Sequence, residues 1–373
     1  MRRSALGLVV LGATAYAFSV SCSGDDTSTP ADGGGEDASS IDASSGGSGD
    51  ATAADSTTGG GSDGAPGDAA SPDAAHVDRG PTAIPYNGAP NGIFWDYGTK
   101  QALYIADERS TAVTKWTDQG GFSVAVTFPL PPPPDAGDDA GDAAPADAGP
   151  PGLGQVVRLL DGTIVVTEFG FGTTGAVLYT DKTGDAAVVP ALSTKKRRIG
   201  LAMLPDGTLV DTYFVKGDAG PVGAVAKVTL TGSEKDLVTG LAKPVGVVYN
   251  NGALAISDPM LGAILRANAT DGGTVYPDGS VDDAGNPLDG GVGVIAAVAS
   301  PDLVCQGPDG ILFAGGNSSG NVYRIAKDGS VTTVATGLKD VRGCAYDGEH
   351  KRLFVAERDA TAGTAAIRIY PID

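Results

Sequence analysis

The chain has 373 residues, enough for two average domains or one large repetitive one. Gly 57 and Pro 24 make up about a fifth of it, above ordinary usage yet short of a wholly disordered chain. The net charge of −20 gathers in particular segments, and no basic face able to neutralise phosphates is present, which excludes nucleic acid as a partner.

Met1-Arg2-Arg3 is a short positive region, followed by an apolar stretch from about Ala5 to Val20. Spanning a bilayer takes roughly 20 apolar residues, so residues 1–21 read as a secretory signal. The stretch ends Ser19-Val20-Ser21-Cys22, which resembles a bacterial lipobox with Ser19 where that pattern prefers Leu. The resemblance implies that Cys22 receives the lipid, and Ser23 after it implies sorting to the outer membrane. The other reading is cleavage nearby with Cys22 a free thiol. Several acyl chains would anchor the protein as one chain cannot.

Residues 22–80 read as a disordered tether. From Ser23 to Gly80 twelve acidic residues face one basic, Arg79, and aromatic residues are absent. Such a segment cannot bury enough apolar surface to offset its ordering entropy, and a coil of this length reaches roughly 40 Å.

Residues 81–373 repeat one phrase: a small-residue turn, an apolar strand, a turn ending in Gly, a second apolar strand closing on a polar residue, then a third strand. Asn91-Gly92-Ile93-Phe94-Trp95 with Leu103-Tyr104-Ile105-Ala106-Asp107 opens the series. Asp161-Gly162 with Ile164–Glu168, Ile199–Met203 with Pro205-Asp206-Gly207, and Val245–Val248 with Asn251-Gly252 continue it. Leu303-Val304-Cys305 with Pro308-Asp309-Gly310, and Gly343–Tyr346 with Leu353–Glu357, end it. Gly154, Gly200 and Gly246 follow at 46-residue intervals. Asp-Gly and Asn-Gly between apolar runs signal hairpins, and six radial units form a six-bladed β-propeller, an all-β fold with only short edges. Two Asp-, Ala-, Gly- and Pro-rich segments, 129–152 and 268–291, read as loop insertions, because prolines such as Pro131–Pro134 cannot pair in a sheet. Thr82–Tyr86 is expected to supply the outer strand of blade six. A seventh blade built on Val292–Ala299 remains open, as does an all-β sandwich, which lacks the period.

At the ends of the second strands Asp107, Glu168, Tyr213, Asp258, Gly316 and Glu357 fall at one equivalent position. The four carboxylates, Asp107, Glu168, Asp258 and Glu357, read either as a rim holding a divalent cation such as calcium or as caps of their own turns. At the starts of the inner strands Asn91, Arg198, Asp302 and Arg342 are the cleft candidates. Lys195–Arg198 reads as an anion-attracting or simply solvated loop. The only histidines are His76 and His350, so a catalytic Ser–His pair or a His-rich zinc site has no basis. Cys305 and Cys344, in neighbouring blades, are either a disulfide or two buried thiols.

Pro301-Asp302-Leu303-Val304-Cys305, Gly310–Ala314 and Gly320-Asn321-Val322-Tyr323-Arg324 resemble a segment of the gluconolactonase/senescence-marker (SMP-30-like) propellers, and more broadly the NHL-like six-bladed superfamily. That resemblance implies a metal-ligand role for Asp302. Asn91 stands where the family carries its Glu ligand before Trp95, and Val245 where it carries Asn. The sequence therefore points first to a monomeric envelope lipoprotein presenting a binding scaffold. Its partners would be the membrane, through the anchor, and an unidentified small-molecule or protein ligand. The alternative is a divergent divalent-metal-dependent lactonase or esterase, its metal polarising an ester carbonyl.

Overall fold

The computed structural model describes residues 19–20, 82–98, 101–129, 151–170, 175–217, 220–274 and 291–373. Cys22, the segment 22–80, and most of the insertions 129–152 and 268–291 lie outside the described residues. A two-residue strand β1 (Ser19–Val20) comes first. Then β2 (Thr82–Tyr86) leads into blade one, β3 (Pro90–Asp96), β4 (Ala102–Asp107), β5 (Ala112–Thr117) and β6 (Gly121–Thr127). Blade two is β7 (Gly152–Arg158), β8 (Ile164–Phe169), β9 (Ala176–Thr180) and β10 (Ala186–Val188). Blade three is β11 (Arg197–Met203), β12 (Leu209–Gly217), β13 (Gly220–Val228) and β14 (Glu234–Leu241). Blade four is β15 (Gly246–Asn250), β16 (Ala253–Asp258), β17 (Ala263–Asn268) and β19 (Gly293–Ala297), with the short β18 (Gly273–Thr274) lying parallel to β14 instead. Blade five is β20 (Pro301–Gln306), β21 (Leu312–Gly316), β22 (Asn321–Ile325) and β23 (Val331–Ala335). Blade six is β24 (Val341–Asp347), β25 (Arg352–Asp359) and β26 (Thr364–Pro371).

These sheets make a six-bladed β-propeller, and β2 closes it by pairing antiparallel with β26, from Thr82↔Ile369 to Tyr86↔Ala365. The run after Val292 is the fourth strand of blade four, so no seventh blade exists there. The second insertion begins later than expected: β17 runs to Asn268, and Gly273–Thr274 borders blade three.

The short apolar runs become strands because each blade faces two neighbours. Every residue of β4, β8 and β16 is buried, so they read as continuous apolar segments rather than alternating ones. The two-residue turn Asn251-Gly252 joins Asn250 to Ala253 with φ of +49° and +89°, the primed geometry that Asn-Gly supplies without steric cost. Around the axis, inner strands approach backbone to backbone. In blades two, three and four a hydroxyl fills the contact: Thr167, Thr212 and Ser257 accept N–H groups of Gln155, Gly200 and Gly246 at 2.7–2.8 Å and donate to the carbonyls of Ile199, Val245 and Asp302 in the next blade. Blade five has Gly315 at that position, where a Cβ would lie 2.7 Å from the Arg342 carbonyl oxygen. Cys305 and Cys344 are disulfide-bonded, Cα–Cα 5.7 Å, tying the inner strands of blades five and six.

Candidate functional site

In five blades the inner strand slips register at its entry, between Pro90/Ile93, Leu153/Val156, Arg198/Leu201, Pro301/Val304 and Val341/Cys344. This bulge leaves two residues outside the ladder. Its first residue is Asn91, Gly154, Ile199, Asp302 or Arg342, and Val245 takes that place in blade four. Three of the four cleft candidates therefore share one ring. Asn91 donates through Nδ2 to the Leu153 carbonyl (3.0 Å), and Arg342 Nη1 lies 4.0 Å from Asp302 Oδ2.

Arg198 does not join them. It precedes the bulge, pairs with Tyr213 across the ladder, and sends its buried guanidinium outward to Asp211 and to Glu234 on β14 (3.0 Å). The expectation treated the start of the motif as the axial residue, and the bulge moves the axis one residue on, to Ile199.

Asp302 and Arg342 belong to a charge ladder across blades five, six and one. Asn317 Nδ2 reaches Asp302 (3.5 Å), and Arg342 contacts Asp340 through Nε (2.9 Å) and Nη2 (3.0 Å). Arg358 joins Asp340 (2.6 Å) to Glu108. Blades two to five supply an apolar wall of Phe169, Ile199, Phe214, Val245 and Leu303. Arg197 stands over that wall, 5.3 Å from the Phe169 ring centroid and 5.5 Å from that of Phe214, and Lys243 lies 5.6 Å from Phe214. Sequence reasoning missed Phe169 and Phe214. The signal was present, since each immediately follows the equivalent rim position.

Three rim carboxylates serve backbone. Asp107 accepts the N–H groups of Ala89, Arg109 and Ser110. Asp258 accepts those of Ala242, Lys243, Met260 and Leu261, and burial still raises its pKa above the ordinary value. Glu357 accepts the Lys339 N–H (3.0 Å) and binds Arg368 (2.6 Å). Glu168 differs: it is fully buried, neither oxygen has a hydrogen-bond partner among the described residues, and desolvation pushes its pKa up to about 7.

A divalent cation takes several hard oxygen ligands. The axial ring offers one carboxylate with a guanidinium beside it, one amide already donating to backbone, two aliphatic side chains and a glycine. That set does not fit such an ion, and among the described residues no group of three His, Cys, Asp or Glu is placed to hold one.

No protein-family model matches the chain, and no curated protein matches it. Solved structures do match. A PQQ-bound aldose sugar dehydrogenase from Streptomyces coelicolor aligns with TM-score 0.57 and 14% identity, over 76% of this chain and 95% of that one. A gluconolactonase from Xanthomonas campestris aligns at 0.51 and 16%, over 78% and 98%. Regucalcin from Agrobacterium tumefaciens, described as a calcium-binding protein, aligns at 0.51 and 14%, over 78% and 93%. At these identities the likeness is one of fold.

Proposed function

We propose that the protein is an envelope-anchored binding scaffold whose axial mouth takes a small amphipathic ligand with an acidic end. The carrying observation is the division of the mouth into an apolar wall topped by Arg197 and Lys243 and a charge ladder whose members already pair with one another. The wall accepts the body of a ligand, and cations flanked by aromatic rings suit its anionic end. Asp302 and Arg342 frame the other side as a positioned ion pair. Lipidation of Cys22 and the tether 22–80 would hold this disc away from the outer membrane. Strand β1 lies antiparallel on the inner edge of β11, and it also touches β15, β20, β24, β3 and β7. Signal cleavage ahead of Cys22 would remove β1 and leave that edge free.

Metabolic labelling with an alkynyl fatty acid is expected to mark the wild type and spare Cys22→Ala, and equal labelling of both would end the anchor reading. The mouth is tested with anilinonaphthalene sulfonate, an amphipathic anion. Fluorescence titration should show Arg197→Ala binding about tenfold more weakly, the equivalent of about 1.4 kcal/mol, with cooperative melting retained. Unchanged affinity would remove the mouth as the site. Calcium added in the same series addresses the lactonase reading, to which the gluconolactonase and regucalcin folds lend support. A calcium-dependent rise in melting temperature that vanishes in Asp302→Ala would favour that second reading.

A further inference from the structure

Glu168 is the exception on the rim, and local sequence explains why. Its ladder partner is Leu153, as Val341 is that of Glu357. Two residues before Val341, Lys339 donates its N–H to Glu357. Two residues before Leu153 stands Pro151, which has no N–H to give. The connection after the strand also differs from that of the other rim aspartates. Asp107 and Asp258 cap four-residue turns leading to β5 and β17, whereas six residues separate β8 from β9. Gly152 is occupied in the ladder opposite Phe169. The result is a carboxyl group held in place by its strand, out of water, with both oxygens uncommitted.

A native protein rarely leaves such a group without a purpose, since burying it unpaired costs stability. Its surroundings limit what it can take. At Gly152 a Cβ would lie 2.6 Å from Glu108 Cγ and 2.8 Å from Phe169 Cζ, so a second carboxylate side chain and an aromatic ring press against the glycine beside Leu153. Glu108 is paired with Arg358, and Arg197 stands by the Phe169 ring, so the charge that turns an anion away is that of Glu168 itself once ionised. A divalent metal needs further oxygen ligands, and the neighbouring rim carboxylates are spent on backbone. A group with one positive charge and several N–H donors matches two free carboxylate oxygens beside an aromatic ring.

We propose that Glu168 is the anchoring carboxylate of a subsite in the seam between blades one and two, and that this subsite binds a primary ammonium group carried by a small organic ligand. The proposal goes beyond the axial mouth and stands without it. Binding fixes Glu168 in its ionised form, so ligand and proton compete, and affinity rises with pH until the carboxyl is fully ionised.

The test uses the full chain with 13C-labelled glutamate carboxyls, titrated by NMR in propylammonium chloride, in 1-propanol and in calcium chloride at matched ionic strength. The Glu168 resonance is assigned by its loss in Glu168→Gln, or by its loss in Glu168→Asp if the first variant does not fold. Propylammonium alone is expected to lower the Glu168 titration midpoint by about one pH unit. No displacement with propylammonium, an equal displacement with propanol, or a displacement with calcium alone would each overturn the proposal. Failure of the mouth reading would show in the Arg197→Ala titration and leave this result untouched.

Discussion

Replacing Cys305 and Cys344 together by alanine is expected to lower the unfolding free energy by about 4 kcal/mol. The bond closes a loop between residues 39 apart in sequence, and a cross-link of that span removes loop freedom from the unfolded chain. Both residues are fully buried, in a cluster with Phe313, Val341 and Val355, so the variant also loses packing around two shortened side chains. Urea unfolding should show a lower midpoint. Reductant applied to the unfolded wild type should reproduce most of the effect and leave the double variant unchanged. Equal midpoints for oxidised and reduced wild type would show that the bond does not form in solution. A bond of this kind persists in an oxidising compartment, which agrees with the export proposed above.

Glu168→Gln is expected to become more stable than the wild type as pH rises. The ordinary glutamate value is 4.5 and the folded value is about 7, because burial disfavours the charged form. The folded state therefore holds this proton more tightly than the unfolded state does. Stability from this group is fully present below pH 4.5 and is lost as pH rises through about 7, to a total of about 3 kcal/mol. Glutamine carries no such dependence. Wild type and variant should unfold at similar urea concentrations at pH 4.5, and the variant should be the more stable at pH 8. A constant difference across that range would mean that the carboxyl is solvated or paired.

The fold was legible because its repeat is written twice, in buried strands and in turn residues. Asn251-Gly252 and Asp206-Gly207 lie between runs too apolar to be anything but interior strands. Thr82–Tyr86 could be assigned to blade six because that blade otherwise had three strands. The site was legible only in part, and the reason is one residue of register. Gly154 and Gly200 stand 46 positions apart, but their blades are equivalent at a spacing of 45: Leu153 matches Arg198 and Gly154 matches Ile199. Aligning the two glycines sets Leu153 against Ile199, one residue out of register, and Arg198, which precedes the bulge, turns into the seam instead of onto the axis. The rim alignment survived because the second strands carry no bulge at their ends. What it could not show is which carboxylates find donors. That depends on residues entering the blade, such as Pro151, whose meaning appears only once the ladder partner is known.

Closure by β2 carries a consequence for the order of events. Thr82–Tyr86 is synthesised before any blade and pairs with Thr364–Pro371, made after every other strand of the ring. The first strand of the propeller to emerge is the last to find its partner, and until then blade six is short and the disc open. Contacts this distant in sequence slow folding, and the exposed edges of waiting strands invite association with other chains. A chain halted before residue 364 would hold five complete blades and no ring, and it would be a substrate for chaperones and proteases throughout that interval.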